Sequence, residues 1–365
     1  SYLDGAVFKA LDKHTFEIVM AEPMADLLDL IVDLPIVPRS ALGGLPEKAI
    51  GSGPYRLVEA SDDLVVVEAF DTYWAGRPNI DELRWRGVPT EQGRVAALLA
   101  NEADIASDVL PGSRAAFADS EHTEVVASQS TVCCIFICNL NTGVCADSRV
   151  RRALNYALDA DEIIKTVMEG AARPLNGPLT PQHFGYDPVA PYPHDPGKAK
   201  ALLAEAGFPN GMELVLDVPT TWPDEATMLA EKMAEQFARA GIETEVREFS
   251  DRPAYAEMVR DKQLDDAACF DSSPLSTYRI LREKLHSGVA GPWWQGYENT
   301  TLDSLIDKAR TTCDVTQRRT IYQEAYRIIH DDAPWIFLYN STLFWGVGPN
   351  ARTFSPTVEG LIRPA

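Results

Sequence analysis

A strand, a helix and a second strand follow one another between residues 212 and 248, and this succession constrains the fold most. Residues 212–218 form an apolar strand-length run, and residues 242–248 alternate with the period of two that a half-buried strand shows. Residues 224–240 have helical apolar spacing and precede Gly241, a residue type that commonly ends helices. Two strands joined by a helix lie parallel in one sheet. The chain is therefore predicted to be an α/β protein.

The length favours two lobes. A chain of 365 residues exceeds one ordinary hydrophobic core and suits two domains, or one domain threaded through another. Apolar residues make up 45% and charged residues 24%, as in ordinary globular proteins. The richest apolar runs, at 132–138 and 334–338, have the length of strands and fall far short of the roughly 18 residues that span a bilayer. No membrane-spanning segment is predicted.

The charge balance excludes one class of partner. Acidic residues number 54 against 33 basic ones, which gives a net charge of −21. Such a chain repels the phosphates of nucleic acids and of anionic lipids, so no nucleic-acid partner is predicted. The acidic surface either keeps the protein dispersed or attracts a cationic ligand, and composition leaves both readings open.

The sequence lacks the patterns that enzymes and metalloproteins use. Its six histidines show no i, i+4 pair, and its six cysteines form no C-x-x-C motif. No G-x-S-x-G nucleophile elbow occurs, and Gly51 and Gly53 precede a strand without the Lys-Ser/Thr of a phosphate-binding loop. We therefore predict no catalytic residue, no metal ligand and no cofactor.

Two cysteines flank a short loop. Cys138 and Cys145 enclose the turn-rich residues 139–144, a loop that a disulfide could close in an oxidising compartment. The sequence does not decide whether this disulfide forms. Cys269 and Cys313 lie far apart, and both are predicted to be buried thiols.

The segment at 171–196 interrupts the helices of the second half. It is rich in proline and contains His183 and His194, so it is predicted to be extended and exposed. Asp147 before it and Pro196 at its end are suited to begin helices, as an N-cap and as a first helical residue.

Five stretches, in the same order along about 300 residues, resemble the extracytoplasmic solute-binding proteins of family 5, also called cluster C, which serve oligopeptide, dipeptide and nickel ABC importers. The first runs from Gly-Ser-Gly-Pro-Tyr at 51–55 through Asp-Thr-Tyr-Trp at 71–74 to Asn-Glu-Ala-Asp-Ile at 101–105; the others lie at 147–159, 200–208, 297–306 and 317–335. Each stretch alone is modest, and their order makes the resemblance specific.

The resemblance implies a type II periplasmic binding protein fold, with two α/β lobes on a hinge and a remnant of an extra inserted domain. Residues 1–45 would close that insert, 46–138 with 341–365 would form lobe one, and 139–340 would form lobe two, with hinge strands near Cys138 and Asn340. A segment upstream of residue 1 is expected to be missing.

The resemblance also implies a function without catalysis. We expect a monomeric periplasmic or lipid-anchored extracytoplasmic protein that captures a peptide-like or small polar or cationic solute and delivers it to the membrane permease of an ABC importer. Two alternatives stay open: a ligand-binding subunit of a sensor or chemoreceptor, and a secreted hydrolase on an α/β scaffold.

The ligand contacts implied by the resemblance follow the strand that ends near Ala268. They are Phe270, Asp271, Ser272 and Ser273. In peptide binders of the family an aspartate stands near this loop, and here Pro274 falls at its position, which puts binding of a free peptide backbone in doubt.

Further candidates come from the residues themselves. Asp271 and Glu225 suit a cationic group removed from water. Flat apolar walls could come from Trp222, Phe270, Trp293 and Trp294. Asn139 lies beside the predicted hinge. Each has a plainer alternative: Glu225 could complement a helix N-terminus, Asp271 could cap a turn, and the aromatic residues could be ordinary core.

Overall fold

Two parallel strands joined by a helix are present where the sequence predicts them. Strands Met212–Pro219 and Ile242–Phe249 pair in parallel, and helix Ala226–Arg239 connects them. This unit is part of a computed structural model that describes residues 2–32, 34–44, 49–118, 120 and 122–362. The predicted α/β class is confirmed.

The elements are numbered along the chain. The strands are β1 (Val7–Ala10), β2 (Phe16–Val19), β3 (Tyr55–Ala60), β4 (Leu64–Ala69), β5 (Glu82–Arg86), β6 (Ile105–Ala106), β7 (Glu124–Cys138), β8 (Ala172–Pro174), β9 (Met212–Pro219), β10 (Ile242–Phe249), β11 (Ala267–Ser272) and β12 (Trp335–Val347). The helices are α1 (Leu27–Ile31), α2 (Glu91–Leu99), α3 (Arg114–Ala118), α4 (Ser148–Ala157), α5 (Ala160–Thr166), α6 (Pro196–Glu205), α7 (Ala226–Arg239), α8 (Arg252–Arg260), α9 (Thr277–Lys284), α10 (Thr300–Thr311) and α11 (Val315–Asp332).

One compact unit consists of Ser1–Leu30 and Gln129–Thr342. Its main sheet has the order β10-β9-β11-β7-β12, with β8 against β12. Strand β11 runs parallel to β9 and antiparallel to β7. The hairpin of β1 and β2 forms a separate two-stranded sheet.

Helices cover both faces of this sheet, and alternation along β7 shows how. Cys134, Phe136 and Cys138 pack into a core with α4 to α7, whereas Ile135 and Ile137 pack into a second core with α8 to α11. Successive side chains of a strand point to opposite faces, so a fully apolar strand serves two cores at once.

Acidic side chains begin several helices. Asp147 accepts a hydrogen bond from the backbone N–H of Arg149 at the start of α4, as the sequence predicts. Asp195 accepts from Lys198 N, and Pro196 occupies the first turn of α6. Such caps satisfy backbone donors that have no partner within the helix.

The second compact unit consists of Ile31–Ser128 and Leu343–Ala365. It contains the antiparallel sheet β3-β4-β5, helix α2, and the pairing of β6 with the end of β12. The chain passes from one unit to the other inside β7 and inside β12, and once more after Leu30.

The predicted domains divide the chain differently, since they set residues 1–45 apart. The predicted domains are defined by the order of the lobes along the chain, whereas the two units are groups of residues that contact one another. The predicted boundaries therefore stay a prediction. The predicted junction between residues 45 and 46 lies outside the described residues.

The segment 171–196 corrects one expectation. Much of it is buried, and His183 is only 4% exposed. The His183 ring contacts Thr180 through Nδ1 and the carbonyl oxygen of Pro274 through Nε2, both at 2.9 Å, while burial lowers the pKa of His183. Prolines lack a backbone N–H, so this segment can be buried with fewer donors to satisfy.

One cysteine corrects another expectation, and two bear on a disulfide that the sequence leaves undecided. Cys138 and Cys145 are free, buried thiols in the structure. Their side chains form a hydrogen bond, and this contact together with burial raises the pKa of Cys145. Cys269 is buried as predicted, but Cys313 is exposed, because it follows the end of α10.

Candidate ligand-binding site

The carboxyl ends of three parallel strands meet at one edge of the sheet. Strands β9, β10 and β11 end there at Pro219, Phe249 and Ser272. In open α/β sheets this edge is where ligands bind. The residues that gather beyond it are here called the carboxyl-edge cluster: Trp222, Arg252, Phe270, Asp271, Lys284 and Trp293.

Trp222 is the exposed member of this cluster, and the half-buried Arg252 contacts it. The Nε of Arg252 donates to the main-chain oxygen of Trp222 across 2.9 Å. Trp222 is 69% exposed and has a φ of +57°, a left-handed conformation that is unfavourable for a bulky residue. Strained backbone of this kind is often retained at functional sites, and here it presents an indole to solvent.

Phe270 lies at the centre of the cluster. Its ring centroid is 4.6 Å from that of Trp293, and its side chain is nearly buried. The guanidinium carbon of Arg252 is 5.6 Å from the Phe270 ring, and Lys284 Nζ is 5.2 Å from it. Two cations of the protein itself therefore surround this ring, so it is less available to hold a cationic ligand.

Lys284 brings a buried charge to the cluster. It is 4% exposed, and its Nζ donates to the main-chain oxygen of Asp271 across 3.3 Å. Burial lowers the pKa of Lys284 to about 8, while the charge of Asp271 acts in the opposite direction. The ammonium is therefore retained at neutral pH, and the cluster combines two cations with one carboxylate.

The structure brings together four of the predicted site residues: Trp222, Phe270, Asp271 and Trp293. Ser272 lies next to them but is fully buried, and its hydroxyl has no hydrogen-bond partner among the residues that the structure describes. Ser273 contributes its carbonyl oxygen, which accepts from Thr131 Oγ1 at 2.7 Å.

The other three predicted residues have separate roles. Glu225 accepts a hydrogen bond from the Tyr339 hydroxyl at 2.9 Å and adjoins the first turn of α7. Asn139 lies at the opposite end of the β7–β11 pair, where its Nδ2 donates to Leu264 O at 3.1 Å. Trp294 donates through Nε1 to the carbonyl oxygen of Tyr297 at 2.7 Å.

Comparison with known families decides where this architecture belongs. The model of the bacterial extracellular solute-binding proteins, family 5 Middle, matches residues 1–268. The chain belongs to this family.

Two curated relatives show the range of named ligands. The chain is 32% identical over 309 residues to the glutathione-binding protein GsiB of Pectobacterium atrosepticum, covering 80% of this chain and 59% of that protein. It is 28% identical over 355 residues to the dipeptide-binding protein of Escherichia coli, covering 92% and 66% respectively. The chain thus spans less than two thirds of the length of these two relatives.

Solved structures share the fold. The periplasmic binding protein DppA from Helicobacter pylori, in complex with the peptide STSA, superposes with a TM-score of 0.85 at 21% identity, covering 98% of this chain and 72% of that one. A dipeptide-binding protein from Pseudoalteromonas, in complex with Met-Leu, gives a TM-score of 0.88 at 18% identity, covering 99% and 76%. The predicted fold class, that of two-lobed type II periplasmic binding proteins, is confirmed.

Sequence reasoning missed two residues of the carboxyl-edge cluster, Arg252 and Lys284, whereas Trp293 is one of the tryptophans that the sequence offers as an apolar wall. Arg252 lies three residues after Phe249, the last residue of the alternating strand β10. Ligands of α/β proteins bind beyond the carboxyl ends of parallel strands, and this rule is the signal that could have identified Arg252. Lys284 interrupts the buried stripe Ile280, Leu281 and Leu285 of α9, which is an unusual place for a lysine.

The described part of the chain contains neither a group of metal-ligating side chains nor a membrane-spanning helix. Across residues 2–32, 34–44, 49–118, 120 and 122–362, no group of three or more His, Cys, Asp or Glu side chains could hold a metal ion. Among the helices of the same ranges, none combines the length and apolar character needed to cross a bilayer.

Proposed function

We propose that this chain acts as the solute-binding component of an ABC importer and that it captures a peptide-like molecule. Membership of an extracellular solute-binding family supports a role outside the cytoplasmic membrane, in the periplasm or on a lipid anchor. Relatives named for glutathione and for dipeptides support the ligand class. The protein would work as a monomer and deliver its ligand to the permease subunits in the membrane.

The observation that carries this proposal is the mixed charge of the carboxyl-edge cluster. Arg252 beside the exposed Trp222 suits a ligand carboxylate, since guanidinium and carboxylate form strong charge-assisted hydrogen bonds. Asp271 offers a carboxylate for a ligand ammonium. A molecule with both groups, such as a short peptide, fits this cluster better than a purely cationic solute.

The proposed activity is binding without bond cleavage. Affinity would come from withdrawing the ligand from water between charged and aromatic groups, and the ligand would leave unchanged. A secreted hydrolase would instead need a nucleophile activated by a base. The cluster of Trp222, Arg252, Phe270, Asp271, Lys284 and Trp293 contains no Ser–His or Cys–His pair.

Thermal unfolding with candidate ligands tests the proposal. Glutathione and the dipeptide Met-Leu should raise the melting temperature, since a ligand at about 100 times its Kd adds roughly 2.7 kcal/mol to the free energy of unfolding. Cadaverine, which has two amines and no carboxylate, is the matched control and should have a smaller effect. Mass spectrometry of the recovered ligand should show an unchanged molecule.

Two results would contradict the proposal. If neither peptide-like ligand stabilises the protein while cadaverine does, the solute is cationic rather than peptide-like. If the added peptide is recovered as its hydrolysis products, and the cleavage persists after further purification, the protein is an enzyme.

A further inference from the structure

A separate cavity of about 460 Å³ lies between the N-terminal segment and two helices of the same unit. Its walls come from residues around β2, from α9 with the loop that follows it, and from α10. None of the carboxyl-edge cluster residues lines it. Its volume falls within the range of small-molecule sites, which is about 300–1,000 Å³.

One side of the cavity presents a guanidinium group. Arg282 stacks on the ring of Tyr2, with 5.0 Å between its guanidinium carbon and the ring centroid, and forms a hydrogen bond with the Tyr278 hydroxyl. Considering only the residues that the structure describes, Arg282 forms no salt bridge. A planar guanidinium held by aromatic contacts, with donors to spare, is suited to bind a carboxylate through two hydrogen bonds.

The other arginine of the cavity is differently placed. Arg310 donates to Glu22 across 2.7 Å, so its charge is already neutralised by the protein. This contrast makes Arg282 the cavity's candidate for an anionic ligand group.

An acidic group faces the same space. Asp307 lies on α10 with a carboxylate that is 60% exposed, and its Oδ2 is 3.5 Å from Nε2 of His286. That separation is longer than an ordinary hydrogen bond, so Asp307 keeps acceptor capacity for a ligand.

His286 is the buried polar residue of the cavity. It is 8% exposed, and its Nδ1 has no hydrogen-bond partner in the described part of the chain; Asp303 Oδ1 lies 3.5 Å away. A buried imidazole without a hydrogen bond is costly for a folded protein. Asp307 faces the other ring nitrogen, Nε2, so a polar ligand group that reaches Nδ1 would remove part of that cost.

Apolar groups complete the lining. Met20, Met24 and Val289 are half-buried there, and Tyr278 contributes its ring. Thioether and aliphatic side chains adapt to an apolar ligand side chain of variable shape.

We infer that this cavity binds a free α-amino acid with an apolar side chain, with its carboxylate on Arg282, its ammonium on Asp307 and its side chain against Met20 and Met24. The site is distinct from the carboxyl-edge cluster and does not depend on the ligand proposed for that cluster.

Methionine-methyl NMR with L-leucine as the probe tests this inference. The chain has seven methionines, of which Met20 and Met24 line the cavity, and substitution to leucine assigns their signals. Titration with L-leucine should shift these two signals and leave those of Met168, Met212, Met228, Met233 and Met258 in place. Shifts confined to the latter five, or none at millimolar leucine, would overturn the inference.

Two analogues separate the charged halves of the site. 4-Methylpentanoate lacks the amine of leucine, and 3-methylbutylamine lacks its carboxylate. Each should bind at least about tenfold more weakly than leucine, because each leaves one charged partner in the cavity unpaired. Equal affinity of all three would show that only the apolar lining matters, and would overturn the charge assignment.

Variants locate the site. Arg282→Gln and Asp307→Asn should each weaken leucine binding about tenfold or more. Arg319→Gln is the matched control, since Arg319 also stacks on an aromatic ring, 4.6 Å from the centroid of Phe184, and lies outside the cavity. If Asp271→Asn abolishes leucine binding and Arg282→Gln does not, leucine binds at the carboxyl-edge cluster and the inference is wrong. Unchanged signals of the five remaining methionines would show that each variant is folded.

Discussion

Lys284 donates a hydrogen bond from its Nζ to the main-chain oxygen of Asp271 across 3.3 Å, although its side chain is almost entirely removed from water. The lysine comes from α9 and the aspartate from β11, so the contact joins a helix to the carboxyl edge of the sheet. Burying an ammonium is costly unless contacts in the protein replace most of the lost hydration. The lowered pKa of Lys284, about 8, indicates that its contacts replace that hydration only in part.

Replacing Lys284 with methionine should therefore stabilise the protein at neutral pH. Methionine has a side chain of similar shape to that of lysine but carries no charge. We therefore expect a gain of about 2 kcal/mol in the free energy of unfolding at pH 7. Urea unfolding at pH 7 measures it. Lys165→Met, on the exposed side of α5, is the control and should change little. A less stable Lys284→Met protein would mean that the ammonium stabilises the fold.

The same lysine predicts a pH dependence. Its pKa is about 8 when folded and near the ordinary 10.5 when unfolded, so between these values the unfolded chain binds the additional proton. The free energy of unfolding due to Lys284 therefore rises with pH from about 8 to 10.5 and is constant below that window. The advantage of Lys284→Met should shrink across the window, as measured by urea unfolding at pH 7 and pH 10. An advantage that stays constant would contradict the lowered pKa.

Asp271→Asn should weaken binding of a peptide-like ligand. If Asp271 pairs with a ligand ammonium away from water, its loss should cost about 2 kcal/mol, or roughly 30-fold in Kd. Isothermal titration calorimetry measures the loss. Asp161→Asn, in the exposed first turn of α5, is the matched control. Unchanged affinity in Asp271→Asn would remove Asp271 from the site.

Trp222→Ala should also weaken the ligand, by about 1–2 kcal/mol, because an exposed, rigid indole gains most when a ligand covers it. Trp74→Ala provides the comparison, since Trp74 is 82% exposed and belongs to the other unit. Calorimetry with both variants distinguishes a local contact from a general surface effect. Equal losses in the two variants would contradict a role for Trp222.

Local patterns predicted the fold well. The apolar run at 212–218, the helical spacing that follows and the alternation at 242–248 were sufficient to predict the parallel pair, because these signals depend only on near neighbours in sequence. The cap Asp147 and the first-turn Pro196 were predictable for the same reason.

The site was less predictable, because its contacts join distant residues. The carboxyl-edge cluster depends on β9 lying between β10 and β11, an order that local sequence does not specify. Glu225 stays a predicted ligand contact, and the hydrogen bond that it accepts from Tyr339, 114 residues further on, is not predictable from local sequence. The burial of segment 171–196 likewise depends on its packing, for example Gly177 against the Tyr326 ring.

Two glycines before β9 offer a matched test of backbone packing. Gly207 and Gly211 have φ values of +102° and +98°, so an L-residue is comparably strained at either position. A Cβ on Gly207 would meet no heavy atom within 4 Å, whereas a Cβ on Gly211 would lie 2.3 Å from the carbonyl oxygen of Gly241. That oxygen accepts the hydrogen bond from Met212 N, at 3.2 Å, that begins the β9–β10 pair.

Gly207→Ala should therefore lower the free energy of unfolding by about 1 kcal/mol, the cost of left-handed backbone alone. Gly211→Ala should lower it by about 3 kcal/mol or more, because the added methyl must also displace Gly241 and disturb the parallel pair. Urea unfolding of both variants measures the difference, and hydrogen exchange at Met212 N should accelerate only in Gly211→Ala. Equal losses of stability would show that Gly241 moves freely, and the close approach of the two turns would then contribute nothing to the strand pairing.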